Sequence, residues 1–133
     1  MEKRILLVED DASFGMVFAY AVRKSLADEG LGVAFVEAST LAEARERLRE
    51  GGLDAALIDV WMPDGNGLEL VEEINDGGVG SPIPIMMLTA SLDTSVAGWA
   101  IEQGARGALS KFASMPETIA AIRRLTNAEG YSA

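Results

Sequence analysis

The stretch Ile5-Leu6-Leu7-Val8-Glu9-Asp10-Asp11 decides the fold, because four apolar residues run directly into three carboxylates. An unbroken apolar run of this length suits a strand covered on both faces rather than one with a solvent side. The same pattern recurs at Ala55-Ala56-Leu57-Ile58 before Asp59, at Ile85-Met86-Met87-Leu88 before Thr89, and at Ala108-Leu109 shortly before Lys111. These runs read as parallel strands. In an open parallel sheet the carboxyl ends of the strands share one edge, and ligands bind in the crevice there. Glu9, Asp10, Asp59, Thr89 and Lys111 are therefore expected to converge, although about a hundred residues separate the first from the last.

Helical patterns lie between the runs. Thr40 and Glu43 form a T-x-x-E capping box, after which Leu41, Ala44 and Leu48 make a narrow apolar stripe that stops at Gly51-Gly52. Ser114 and Glu117 make a second box with Pro116 in the first turn, followed by Met115, Ile119, Ile122 and Leu125 at helical spacing. Leu68, Val71 and Ile74 pattern a helix ending at Gly77-Gly78, and residues 12–28 and 93–103 read as two more. With a strand over residues 33–36 the order is (βα) five times over. Right-handed crossovers then give an α/β fold, a doubly wound five-stranded parallel sheet in a three-layer sandwich.

Composition removes several classes of chemistry. The 133 residues suit a single domain, and an apolar fraction of 49% is ample for its core. Neither cysteine nor histidine is present, so disulfides, thiolate nucleophiles, zinc sites and Ser/His/Asp catalysis are all poor fits. No apolar stretch approaches the roughly 20 residues of a membrane span, and no signal-peptide core precedes the first run. We expect a soluble, cytoplasmic protein without membrane contact. A formal charge of −10 opposes the phosphate attraction on which nucleic-acid binding rests, so this domain should not itself bind DNA.

The run from Ile5 to Asp11, the stretch Asp59-Val60-Trp61-Met62-Pro63-Asp64-Gly65-Asn66-Gly67, the pair Thr89-Ala90 and the lone Lys111 resemble the receiver domain of bacterial two-component response regulators. Thr89 follows Asp59 by 30 residues and Lys111 follows Thr89 by 22, intervals that agree with the family. The resemblance covers nearly the whole chain, with a receiver over residues 1–127 and a tail or linker start over 128–133. It implies the flavodoxin-like strand order 2-1-3-4-5. It also implies a switch rather than an enzyme of metabolism, in which Asp59 accepts a phosphoryl group from a sensor histidine kinase, a histidine phosphotransfer protein or a small phosphodonor.

Electrostatics leads to the same site. Two carboxylates about 4 Å apart repel by roughly 4 kcal/mol at an effective dielectric near 20, so three together call for a cation. Hard oxygen donors without histidine or cysteine favour Mg2+. Asp10 and Asp59 would be direct ligands and Glu9 would act through water; by resemblance the Trp61 carbonyl completes the set. Lys111 would balance charge on the transferring oxygens, Thr89 would offer a hydroxyl to the bound phosphoryl group, and Ala90 would leave the approach open. Asp11 reads as a helix cap or outer charge rather than a ligand. Trp61 either screens an acyl phosphate from water or packs on the surface, and Ser91 is a small neighbour of the site.

Two positions depart from the family. Ala108 stands where a switch aromatic is usual, so coupling must run through backbone and packing around the fourth helix. Gly98 within that helix either softens it or permits close packing beside Trp99. Phe112 stands where proline follows the lysine, so a trans peptide bond is expected. The run from Lys111 to Glu117, with Glu129-Gly130-Tyr131, resembles LuxR-type regulators. The resemblance implies an output surface on the fourth helix, fifth strand and fifth helix, which could also form a homodimer, and a kinase-docking face on the first helix, where Phe14, Met16, Val17, Phe18 and Tyr20 crowd together. Two other classes compete: a receiver-like adaptor that is never phosphorylated, and an aspartyl-phosphate phosphatase, whose second aspartate would have to stand at Trp61. A flavin carrier lacks its phosphate loop here.

Overall fold

The four apolar runs become strands, and a fifth forms between the first two helices. A computed structural model describes residues 2–90 and 94–126. The elements run β1 (Lys3–Val8), α1 (Ala12–Ala27), β2 (Val33–Ala38), α2 (Leu41–Glu50) and β3 (Ala55–Asp59). There follow β4 (Trp61–Met62), β5 (Gly65–Asn66), α3 (Gly67–Asn75), β6 (Ile85–Thr89), α4 (Thr94–Glu102), β7 (Ala108–Ser110) and α5 (Met115–Thr126). The parallel sheet has the order β2-β1-β3-β6-β7, which is 2-1-3-4-5 when only its own strands are counted. The fold class and strand order expected from the sequence are those found.

Strand alternation divides the core into two layers. Leu6, Val8, Ala56, Ile58 and Met87 pack with α2, α3 and α4 on one face. Ile5, Leu7, Ala55, Leu57, Met86 and Leu88 pack with α1 and α5 on the other. Both faces are covered, which is why the strands read as continuous apolar runs instead of alternating ones. Val8 pairs with both Ala38 and Ile58, and Asp59 pairs with Leu88, so the polar residues that end β1, β3 and β6 emerge side by side.

Some local expectations need correction. β2 continues two residues beyond the expected Val36, to Ala38. The two-residue strands β4 and β5 form an antiparallel hairpin that the sequence pattern did not announce. In the α2 box, Thr40 Oγ1 accepts the Glu43 N–H at 3.0 Å as expected, but Glu43 reaches back to the N–H of Ser39 at 2.7 Å rather than to that of Thr40. The Asp64 carboxylate takes up the next amides, accepting from Leu41 N–H at 2.8 Å and Ala42 N–H at 3.0 Å. Asp64 thus ties the β4–β5 hairpin to the α2 N-terminus, and these two amides hold its pKa below the ordinary value. The α5 box forms through Ser114 Oγ, which accepts the Glu117 N–H at 3.2 Å. Asp93, Ser91 and the tail beyond residue 126 lie outside the described residues. Among the described residues every peptide bond is trans, Lys111–Phe112 included, and no helix is long and apolar enough to cross a membrane.

Gly98 is exposed, and among the described residues a Cβ built on it meets nothing within 4 Å, so it does not serve close packing beside Trp99. Its remaining effect is the backbone freedom it leaves in α4. Gly98→Ala is therefore expected to raise stability by about 0.5 to 1 kcal/mol. A urea unfolding midpoint that falls in this variant would show that the glycine has another role.

Candidate functional site

Each member of the expected cluster is delivered by a strand end. Glu9 follows β1 and donates its backbone N–H to Ala38 O at 2.9 Å, which keeps it on the line of the sheet. Asp59 closes β3, and Thr89 closes β6 opposite Ser110 of β7. Lys111 follows β7, and its N–H bonds Thr89 O at 2.8 Å. Glu9 and Asp59 are each 6% exposed and Thr89 3%, whereas Asp10 faces solvent. Oxygens of Glu9, Asp10 and Asp59 lie within 4.8 Å of one another.

Lys111 joins two of the carboxylates. Its Nζ donates to Asp59 Oδ2 at 2.8 Å and lies 2.5 Å from Glu9 Oε1. Glu9 Oε1 is buried, and the ammonium is its partner. The other Glu9 oxygen, Oε2, accepts the Asp11 N–H at 3.0 Å. Burial pushes the Glu9 carboxyl above its ordinary pKa, against the pull of Lys111 and the Asp11 amide and with added repulsion from Asp59. For Lys111 burial acts to lower the pKa, yet Asp59 and Glu9 together leave it above the ordinary lysine value.

The donor set fits a hard divalent cation. Three carboxylates against one ammonium leave two uncompensated negative charges. Every available side-chain donor is oxygen, the chemistry Mg2+ selects. Glu9, Asp10 and Asp59 are the residues that could hold it.

The remaining expected residues fall around this centre. Trp61 opens β4 two residues after Asp59, its side chain standing out at 73% exposure. Ala90 is exposed just past Thr89. Asp11 caps α1, accepting the Phe14 N–H at 3.0 Å, and so acts as the cap that was expected. Ala108 is partly buried in the same core layer as Val96 of α4. Phe112 is 80% exposed. On α1, Met16, Val17 and Tyr20 are more than half exposed, while Phe14 and Phe18 turn into the core.

Three contributors were missed in the sequence. Gly67 begins α3 where a Cβ would collide with the Asp59 carbonyl oxygen and lie 2.9 Å from Ile58 Cγ2, so only glycine lets the helix start this close to β3. Asn66 caps α3, its Oδ1 accepting the Leu68 N–H at 2.8 Å. Phe14 places its ring centroid 5.1 Å from Lys111 Nζ. The Gly-Asn-Gly run offered a signal for the first two, whereas nothing local marks the third.

Residues 5–123 match the family model of the response regulator receiver domain. The chain belongs to this family, the signal-receiving module of two-component systems. It is 34% identical over 119 residues to the swarming motility regulation protein RssB of Serratia marcescens, covering 90% of this chain and 51% of that one. It is 32% identical over 123 residues to the DNA-binding response regulator MtrA of Mycobacterium tuberculosis, covering 92% of this chain and 50% of that one. The chain thus spans about half the length of these curated relatives. Among solved structures, a LuxR-family two-component response regulator from Aurantimonas superposes with a TM-score of 0.76 at 26% identity, over 92% of this chain and 84% of that one. The BeF3-activated receiver domain of Klebsiella pneumoniae RstA superposes at 0.77 with 23% identity, over 94% and 99% of the two chains, and speaks to the fold alone.

Proposed function

We propose that this chain is a phosphorylation-activated switch whose acceptor is Asp59. The observation that carries the reading is the placement of Asp59: its carboxylate is nearly enclosed at the end of the central strand β3, bonded to Lys111 at 2.8 Å and grouped with Glu9 and Asp10. An Asp59 oxygen attacks phosphorus, a P–O bond forms, and the P–N bond to the donor imidazole breaks. The departing nitrogen keeps the electron pair and takes a proton from solvent. Bound Mg2+ would offset charge on the transferring oxygens. Lys111 holds the acceptor carboxylate and then follows charge onto the phosphoryl group; the Thr89 hydroxyl receives a phosphoryl oxygen, and exposed Ala90 keeps the entrance open. Asp10 and Asp59 are assigned as direct ligands, Glu9 as a ligand through water, and the Trp61 carbonyl as the fourth protein contribution.

The donor in this reading is a sensor histidine kinase, a histidine phosphotransfer protein or a small phosphodonor, and the exchange takes place in the cytoplasm. Self-phosphorylation and self-dephosphorylation are the whole of its chemistry. The change is read on α4, β7 and α5 by an output partner or linked domain, or by a second copy in a homodimer. Since Ala108 supplies no ring, transmission passes through backbone and packing around α4, whose Val96 borders the same core layer as Ala108.

Intact mass after incubation with acetyl phosphate tests the acceptor. The native chain should gain one phosphoryl group only with Mg2+, and Asp59→Asn should gain none. A gain that survives the substitution would move the acceptor elsewhere; no gain from acetyl phosphate or from a phosphohistidine protein would favour a silent adaptor.

A further inference from the structure

We propose that Phe14 is a positioning residue for Lys111, restraining the ammonium on its third side through the face of the ring. This rests on the reading of Asp59 as phosphoacceptor with Lys111 as its cation. Glu9 and Asp59 approach Nζ at 2.5 and 2.8 Å, and the Phe14 ring stands over it at 5.1 Å. The Lys111 side chain is 13% exposed, so the attraction between the cation and the negative ring face is little screened by water.

The ring is itself held. Phe14 stacks on Phe18 with centroids 5.6 Å apart, and Phe18 meets Phe35 of β2 edge-on at 6.0 Å. The Phe14 backbone is tied to the acidic cluster: its N–H bonds Asp11 Oδ1, and the Asp11 N–H bonds Glu9 Oε2, both at 3.0 Å. The residue that pairs with Lys111 therefore also fixes the turn that presents the ring.

A ring does what a third carboxylate could not. It carries no formal charge, so it adds no repulsion to a cluster already rich in anions, and it accepts no directed hydrogen bond. Lys111 can exchange Asp59 Oδ2 for a phosphoryl oxygen while staying over the same face. Without the ring, the side chain keeps its two electrostatic partners but gains freedom to swing on its four-carbon stem.

The full chain with Phe14→Leu, Phe14→Tyr and ring-fluorinated phenylalanine at position 14 separates this role from apolar filling. In metal-free protein, NMR should show the terminal Lys111 protons shielded by the ring; the shielding should vanish with leucine and persist with tyrosine. With acetyl phosphate and Mg2+, Phe14→Leu should slow phosphorylation by roughly fivefold, tyrosine should restore most of the rate, and successive ring fluorines should lower it stepwise. Unshielded Lys111 protons in the native chain, or equal rates for leucine and tyrosine, would overturn the proposal. The fluorinated series keeps the shape of the side chain and so decides the matter even if the leucine variant folds poorly. If the native chain takes no phosphoryl group, the acceptor reading falls, and the NMR comparison still decides whether Phe14 positions the ammonium.

Discussion

Lys111→Met should lower the unfolding free energy by roughly 3 kcal/mol near neutral pH in chelator, the low end for breaking an enclosed ion pair, because the Asp10 side of the cluster opens to water. Methionine keeps the length of the side chain, so the loss reports charge: Glu9 and Asp59 would face one another without the ammonium that now touches both. The pH dependence has a definite sign. Glu9 already has a folded pKa above its unfolded value, chiefly from burial, so the folded protein holds that proton more tightly than the unfolded chain does. Stability is greatest below the unfolded pKa and falls as pH rises through the folded one. Removing Lys111 takes away a favourable partner and extends that window upward. The deficit of the variant relative to the native protein should therefore shrink toward about pH 5 and be largest near neutrality. Urea melts at the two pH values measure it, and Mg2+ should recover part of the loss by binding only the folded state. Equal deficits at both pH values would mean that packing, not charge, is responsible.

The second large effect is expected at Gly67. A methyl group there would press on the Asp59 carbonyl oxygen and on Ile58 Cγ2, and both belong to the fully buried strand β3. Neither contact is the free end of a flexible side chain, so α3 must shift away from the sheet. Overpacking of this kind costs about 1 to 3 kcal/mol, and the backbone collision places Gly67→Ala at the upper end, about 3 kcal/mol. Phosphorylation should slow as well, since the displaced segment begins at Asp59. Gly98→Ala is the natural comparison: the same methyl group added where no described residue comes within 4 Å should move stability the opposite way. Matching unfolding midpoints for the two variants would contradict the geometry.

The parts of this fold that were readable from sequence are those governed by short-range pattern. Four strands announce themselves because burial on both faces leaves no polar interruption, and their terminal residues mark the site edge because a parallel sheet aligns its ends. β2 was underestimated because Glu37 interrupts its apolar run before Ala38. The β4–β5 hairpin is too short to carry a period. Asp64 looks like a turn residue, and only the fold shows that it caps a helix more than twenty residues earlier in the chain. Phe14 is a core aromatic by every local criterion; its second role depends on a lysine at the far end of the sheet. Among the five expected site residues, the gathering of Glu9, Asp10, Asp59 and Lys111 was legible, with Thr89 at the neighbouring strand end, while the pairing of Lys111 with Glu9 as well as Asp59 was not, because spacing says where a side chain starts and not how far it reaches.

The C-terminal end of α4 is fastened from two sides. Asn75 Nδ2 of α3 donates to Gln103 O at 2.8 Å, beside a glycine, Gly104, that has no side chain to obstruct it, and Arg106 N–H bonds Ile85 O at 2.8 Å. Ile85 is the first residue of β6, the strand that ends at Thr89, so the segment after α4 is tied to the same strand that carries the hydroxyl of the site. A movement of Thr89 passed along β6 would therefore be felt at the foot of α4, and through Asn75 by α3 as well.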